Sequence, residues 1–319
     1  METSQEKIRA SGVSVGFVAA LILTLLCGSA LAKEKPWYKY ESQYFVAYSN
    51  ASKRKTQGIL DNLEMFRQAA LQVAAMDLPD GAPKSRIMIF RNDGEFQDAV
   101  GSPKASGFVI RNSEEFLMTL PARRSNVRSQ RVLRYEFSHV LLSYQMRNHP
   151  KWYRVGFAEL LSTIRFRNKN REFVLGEAPE GTELVDGYGF SWNTLIDEGF
   201  TLDGQRIGKT HSAYLQSWLL VHYALLGDNF SNAEKLSTYL NLVARGQESL
   251  GAFQTAFGMD GEDLWRAELR PYSQRMSSLV YDYRPNTAHA NFEREEADYA
   301  EVAALIQRIR DHRVSRAGN

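Results

Sequence analysis

Residues 132–166 read VLRYEFSHVLLSYQMRNHPKWYRVGFAELLSTIRF and are the most informative part of this 319-residue chain. Apolar residues recur there at three- and four-residue spacings, which predicts amphipathic helices over 125–146 and 152–165. Pro150 ends the connection between them, since the residue before a proline avoids helical backbone. This stretch therefore predicts two consecutive helices, and the polar residues among their apolar positions are the first candidates for function.

The chain upstream of this stretch has a β-α-β-(α)-β-β pattern. Short apolar runs predict strands, and a run with helical periodicity after Asn50-Ala51-Ser52 predicts one long helix. The predicted strands cover 44–49, 86–91, 107–110 and 116–120, the long helix covers 52–77, and 33–41 is predicted to be an exposed lead-in.

Downstream of residue 166 the pattern is mostly helical. Residues 172–200 are predicted to be irregular, and helices are predicted near 210–226, 232–246, 249–257, 261–274 and 291–313. Strands first and helices afterwards predict an α+β fold, in which a small N-terminal mixed β-sheet with a long helix precedes a mostly helical half.

Composition excludes several classes of protein. Hydrophobic residues make up 44% and charged residues 24% of the chain, which is a globular composition. A net charge of +2 does not provide a phosphate-tracking surface, so no nucleic-acid partner is expected. Cys27 is the single cysteine, and thiolate metal sites and cysteine nucleophiles are therefore excluded.

The N-terminus has the anatomy of a secretory signal. An apolar run over 13–27 is followed by Ala30-x-Ala32, which predicts cleavage after Ala32 and export to the periplasm or the medium. An uncleaved anchor over 12–32 is the alternative, and only in that case is a membrane expected. Acylation of Cys27 is disfavoured, because Leu26 stands where a small residue is needed. The predicted organisation is a signal peptide (1–32), one main domain (33–275) and a helical tail (276–319).

Two short motifs lie on the helices of the quoted stretch. They are Tyr135-Glu136-Phe137-Ser138-His139 and the octapeptide WYRVGFAE over 152–159. Together they resemble the gluzincin metallopeptidases, the peptidase MA group of thermolysin-like enzymes and aminopeptidases. The likeness is greatest to a secreted bacterial subgroup known mainly as a domain of unknown function. The resemblance covers most of residues 36–273 and implies a zincin-like fold.

In that family an H-E-x-x-H helix and a W-x-N-E-G-x-A-E helix hold one zinc ion. Two histidines at i and i+4 share a helix face, a glutamate on the next helix is the third ligand, and the glutamate beside the first histidine is the general base. Carried over, Tyr135 stands at the first ligand, Glu136 at the general base and His139 at the second ligand. Val155 stands at the third ligand, and Glu159 at the acid that orients the first histidine. Two of the three zinc ligands are thus replaced.

Other residues near the two motifs could replace the missing zinc ligands, or the site could be free of metal. Tyr135, His139 and Glu159 share neighbouring helix faces and form one alternative metal set, with His149 a weaker candidate. Without metal, we expect the Tyr135 hydroxyl to donate to Glu159 and His139 to hydrogen-bond Glu136.

Other polar and aromatic residues were interpreted by helix face. Arg128, Arg131 and Arg134 lie at three-residue spacing and are interpreted as a solvated face rather than an anion site. Tyr214 and Tyr223 are the candidates for an oxyanion-stabilising residue of the kind that the resemblance implies. The face that carries Tyr214, Trp218 and His222 is interpreted as core.

The favoured interpretation is an exported, catalytically degenerate metallopeptidase-like protein, a pseudoenzyme with Glu136 idle. It would bind a peptide or an envelope protein, and no cofactor is expected. The alternative is an active gluzincin-type hydrolase with non-standard ligands, the one case in which zinc is expected. The sequence leaves the partner and the oligomeric state open.

Overall fold

A mixed β-sheet is built mainly from the N-terminal third of the chain. The computed structural model describes residues 35–102, 107–111, 116–123, 127–182, 185, 189–197, 207–285 and 291–317, so the predicted signal peptide lies outside the described residues. The strands are β1 (Tyr38–Glu41), β2 (Phe45–Ser49), β3 (Ser85–Phe90), β4 (Phe108–Arg111), β5 (Phe116–Pro121), β6 (Arg165–Arg167), β7 (Glu172–Leu175), β8 (Leu279–Asp282) and β9 (Glu293–Glu296).

Two sheets result, in the orders β4-β5-β3-β2-β1-β9 and β6-β7-β8. In the larger sheet β2, β3 and β5 are parallel, whereas β4, β1 and β9 pair antiparallel with their neighbours. This sheet and the helices that follow it make the fold α+β, as the order of elements predicted.

The helices begin between the first strands and dominate the second half. They are α1 (Lys53–Ala74), α2 (Asp93–Val100), α3 (Val127–Ser143), α4 (Lys151–Ser162), α5 (Trp192–Ile196), α6 (Ile207–Leu226), α7 (Ala233–Ala244), α8 (Ser249–Phe257), α9 (Gly261–Leu264), α10 (Arg270–Ser273) and α11 (Tyr299–Ala317). A π-helical segment over Trp265–Leu269 joins α9 to α10. In the part of the chain that the structure describes, no helix is long and apolar enough to cross a lipid bilayer.

Side chains alternate between the two faces of the larger sheet along each strand. Helices pack against both of these faces. On β3, Ile87 and Ile89 belong to the main core with Phe66 of α1 and Phe137 of α3. The opposite face of the sheet is covered by α2 and α11; Met88 and Phe90 of β3 cluster there with apolar residues of both helices, including Ile309. The sheet therefore holds α3, the first motif helix, against one face.

Several predicted boundaries are wrong. Residues 33–41 were expected to be exposed, yet Tyr40 of β1 is buried between β2 and β9. The long helix ends at Ala74 rather than near 77, because Ala75 takes a left-handed conformation. The second motif helix stops at Ser162, and the chain turns into a β6–β7 hairpin through Asn168, Lys169 and Asn170, all at positive φ.

The segment after residue 275, predicted to be a helical tail, also contains two β-strands. Residues 279–282 add β8 to the small sheet, and 293–296 add β9 to the large one, before the helix begins at Tyr299 rather than at 291. Leu305 and Ile309 of α11 then pack into the second core cluster. The C-terminal segment therefore completes both sheets.

The second motif helix, α4, lies unusually close to α6. A Cβ built on Gly156 would stand 2.1 Å from the carbonyl oxygen of Ser217 and 2.7 Å from Val221 Cγ2. Only glycine permits helix backbones to approach this closely without displacement. This contact sets the position of α6 and its aromatic residues relative to the motif helices.

Trp218 and His222 of α6 are core, as predicted, because both side chains are fully buried, whereas Tyr214, expected on the same core face, is only partly buried. His222 Nε2 lies 3.0 Å from the Gly176 carbonyl oxygen, and Nδ1 lies 2.7 Å from the Tyr272 hydroxyl. A carbonyl oxygen only accepts, so Nε2 carries the proton and Nδ1 accepts from Tyr272. Burial, opposed by the Gly176 hydrogen bond, lowers the pKa of His222 from 6.5 to about 4.

Replacement of His222 by glutamine should flatten the acid dependence of stability. The unfolded chain takes up a proton at this position near pH 6.5, before the folded protein does near pH 4. The free energy of unfolding should therefore fall as the pH drops from 6.5 towards about 4, by up to about 3 kcal/mol at this residue. Denaturant titrations across that range should show a shallower pH slope for His222→Gln.

His211→Gln, at an exposed histidine of the same helix, is the control and should keep the wild-type slope. Equal slopes for all three proteins would contradict the assignment.

Candidate functional site

The motif residues lie where α3 packs against α4. The Tyr135 ring stands edge-on to His139 (centroids 4.7 Å apart) and to Tyr214 of α6 (5.7 Å). Val155 is buried. Burial, followed by the nearby Tyr214 and Glu159, raises the pKa of Tyr135 well above its usual value. The hydroxyl of Tyr135 is thus held in its neutral form, which is a poor metal ligand.

Both motif glutamates are engaged by arginines. Arg131 Nη2 donates to Glu159 Oε2 at 2.7 Å, and Arg131 Nε donates to Ser162 Oγ at 3.1 Å. Arg111, at the end of β4, forms an ion pair with Glu136 at 3.3 Å. A positive charge beside a carboxylate repels a second cation, so Arg131 opposes the use of Glu159 as a substitute metal ligand.

The two hydrogen-bonded pairs expected without metal are not formed among the described residues. Glu159 accepts from Arg131 instead of Tyr135, and Glu136 faces Arg111 instead of His139. His139 Nε2 is buried and has no hydrogen-bond partner in that part of the chain. Both expectations were wrong because they considered only the motif residues and left out the arginines that reach them.

The interpretation of the arginine stripe is also wrong for the two members whose side chains are described. Arg131 holds Glu159, and Arg134 Nη1 donates to the Ile164 carbonyl oxygen at 2.5 Å. Burial lowers the pKa of Arg134 to about 10. Arg131 and Arg134 therefore link α3 to α4 and to the residues that follow its C-terminus. The side chain of Arg128 lies outside the described residues.

The other candidates separate into near and distant groups. Tyr214 joins the cluster, and its pKa is raised by burial and by Glu136 and Glu159, although a hydrogen bond with Tyr135 lowers it in part. Tyr223 is buried elsewhere, where its hydroxyl donates to Glu268 of the π-helical segment. The His149 ring stacks on Tyr153 at 5.6 Å. Neither Tyr223 nor His149 contributes to the arrangement around Tyr135.

The donor set does not fit a catalytic zinc ion. Val155 offers no donor atom, Tyr135 is neutral, and Glu159 is already bound to Arg131. Across the described ranges no three His, Cys, Asp or Glu side chains lie close enough to hold a metal ion. His139 alone keeps a ligand type, and a catalytic site needs about three protein ligands.

A cleft of about 800 Å³ opens beside His139, along the C-terminal half of α3 and the end of the sheet where β3 and β5 begin. This volume is typical of ligand-binding pockets. Its walls include the apolar residues Val46, Pro83, Phe116, Val140 and Leu142. Among the described residues, five cationic side chains also line it: Lys84, Arg86, Arg111, Arg147 and Arg154.

These cations were not identified as site residues from the sequence. Arg111 lies on β4, Arg154 on α4 and Arg147 in the connection between α3 and α4, and no spacing relates them. Arg154 carried a weak signal, because it stands at the asparagine position of the W-x-N-E-G-x-A-E pattern. Burial lowers the pKa of His139 from 6.5 to about 3, and the positive charges of Arg111 and Arg154 act in the same direction. The histidine is therefore neutral beside these arginines.

Comparisons with known proteins do not extend the assignment: no family model matches the chain, and no curated protein sequence matches it either. The likeness to gluzincins therefore rests on the two motifs and stays an interpretation of residues 132–166.

Proposed function

We propose that this chain is a metal-free binding protein with a metallopeptidase-like fold, and that its cleft takes an extended peptide or a segment of an envelope protein. One observation carries the proposal: Glu159, the carboxylate of the substitute ligand set, is held by Arg131, and Glu136, at the general-base position, is paired with Arg111. Val155, at the third ligand position, supports the same conclusion, since a buried valine cannot bind metal.

The shape of the cleft supports a peptide as the ligand. It combines apolar walls with convergent polar groups, the usual composition of a binding site. Arg111, the last residue of β4, lies in its lining, and β4 is the outermost described strand of the sheet on that side. An edge strand is a template to which an extended peptide can add through main-chain hydrogen bonds.

Blocking the cleft should abolish peptide binding. Ser143 lies in the lining with its side chain exposed, so Ser143→Trp should fill the cleft without disturbing the core. Fluorescence anisotropy with a pool of labelled nine-residue peptides should show a loss of affinity of at least about tenfold, because a filled cleft excludes the ligand's anchoring side chains.

Ser237→Trp is the matched control, since Ser237 is an exposed serine on α7 outside the cleft. It should bind the pool like the wild type. Equal binding by both variants, or no binding by the wild type, would contradict the proposal. Cleavage of the pool that disappears in Glu136→Gln would instead support the alternative, an active hydrolase.

A further inference from the structure

The cleft has a marked charge asymmetry. Five of its lining side chains are cationic, and none of its described lining residues is a carboxylate. The whole chain carries a net charge of only +2, so this concentration is local. Clefts lined by one sign of charge focus the electrostatic field and attract ligands of the opposite sign.

Acidic residues of the chain neutralise only part of the positive charge in the cleft. Glu41 pairs with Lys84 and Glu136 pairs with Arg111, and both of these acids lie outside the lining. Arg147 is exposed and has no ion pair with a described residue. The cleft therefore offers at least one guanidinium that the described part of the chain does not neutralise.

Two buried nitrogen atoms of the lining also lack hydrogen-bond partners among the described residues. Arg154 Nε and His139 Nε2 are both buried without a hydrogen-bond partner among the described residues. A buried guanidinium N–H without an acceptor is costly, whereas its hydrogen bond to a carboxylate is among the stronger ones in proteins. Arg154 therefore brings to the α4 side of the cleft a guanidinium whose Nε has no acceptor among the described residues.

We propose that the peptide held by the cleft is acidic, and that Arg147 and Arg154 bind its carboxylates while Phe116, Val140 and Leu142 contact apolar side chains between them. This inference rests on the proposed function, because it specifies the ligand of the same site. A free phosphate ion would leave the apolar walls without a contact. A nucleic acid needs a longer basic track than a chain of net charge +2 provides.

The test compares two pools of labelled nine-residue peptides on the full mature chain. In one pool Asp and Glu alternate with Leu, Val, Phe and Ala; in the other, Asn and Gln replace Asp and Glu. We expect the acidic pool to bind at least about tenfold more tightly, since carboxylates strengthen hydrogen bonds to guanidinium groups. The preference should shrink as salt increases, because Arg147 is exposed and screened.

Variants assign the preference to particular residues. Arg147→Gln and Arg154→Gln should each reduce acidic-pool affinity several-fold and amide-pool affinity by a smaller factor, because an amide oxygen also accepts from a guanidinium but more weakly than a carboxylate does. Arg245→Gln removes the same charge from an exposed arginine outside the cleft and should bind both pools like the wild type. Circular dichroism spectra identical to the wild type's would establish that each variant is folded.

The outcomes separate this inference from the proposed function. Equal affinity for both pools, with both blocked by Ser143→Trp, would overturn the acidic preference and leave peptide binding intact. No binding of either pool would overturn both. Tighter binding of a nine-residue oligothymidylate than of the acidic pool would overturn the assignment to peptides.

Discussion

Replacement of Tyr135 by histidine and Val155 by glutamate together should create a zinc site between α3 and α4. The double variant would place two histidines at i and i+4 on α3 and a carboxylate on α4, a complete set of three protein ligands. We expect a dissociation constant of about 1 µM or tighter, which corresponds to about 8 kcal/mol of binding free energy. Isothermal titration calorimetry would measure it.

The single variants are the controls for this experiment. Tyr135→His or Val155→Glu alone supplies only two ligands and should bind zinc far more weakly. A glutamate at the buried position 155 is also unfavourable without a cation, so zinc should raise the melting temperature of the double variant more than that of the wild type. If the double variant gains no zinc affinity, the registration of the two motifs on α3 and α4 is wrong.

Replacement of Gly156 by alanine should destabilise the protein strongly. The added methyl group would stand 2.1 Å from the Ser217 carbonyl oxygen, a backbone atom that cannot rotate away. The helix α6 must then move away from α4, which we expect to cost about 3 kcal/mol despite the gain in helix propensity. For a chain of this size the melting temperature should fall by roughly 5 °C, as measured by differential scanning calorimetry.

Gly58→Ala is the same substitution in an open position and should have the opposite sign. Gly58 is an exposed residue within α1, and a Cβ built there has nothing within 4 Å. Alanine should therefore stabilise that helix by about 0.5–1 kcal/mol. A Gly156→Ala protein as stable as Gly58→Ala would show that α4 and α6 are not in the close contact described.

The elements with strong periodicity could be predicted, and those completed by distant residues could not. The long helix α1 and strands β2 to β5 follow from local apolar patterns. β1 was missed because its polar residues, Lys39 and Glu41, are typical of an exposed segment, although β9 from the far end of the chain covers its edge. The β6–β7 hairpin carried one local signal, the Asn-Lys-Asn turn, since asparagine tolerates left-handed backbone.

The candidate site divides in the same way. Tyr135 and His139 could be placed together, and Glu159 close to them, from helix spacing and the motif resemblance. The partners of the two acids could not be found, because Arg111 comes from an edge strand and Arg131 was assigned to a solvated face. Ion pairs depend on tertiary positions that no single-helix pattern contains.

The metal content of the purified wild-type chain tests the central claim, that the motif helices no longer hold a catalytic metal, most directly. Elemental analysis of protein purified without chelators, and again after dialysis against zinc, should find well below one metal ion per chain in both samples. One tightly bound equivalent that is lost in His139→Ala would contradict the claim and would favour the hydrolase.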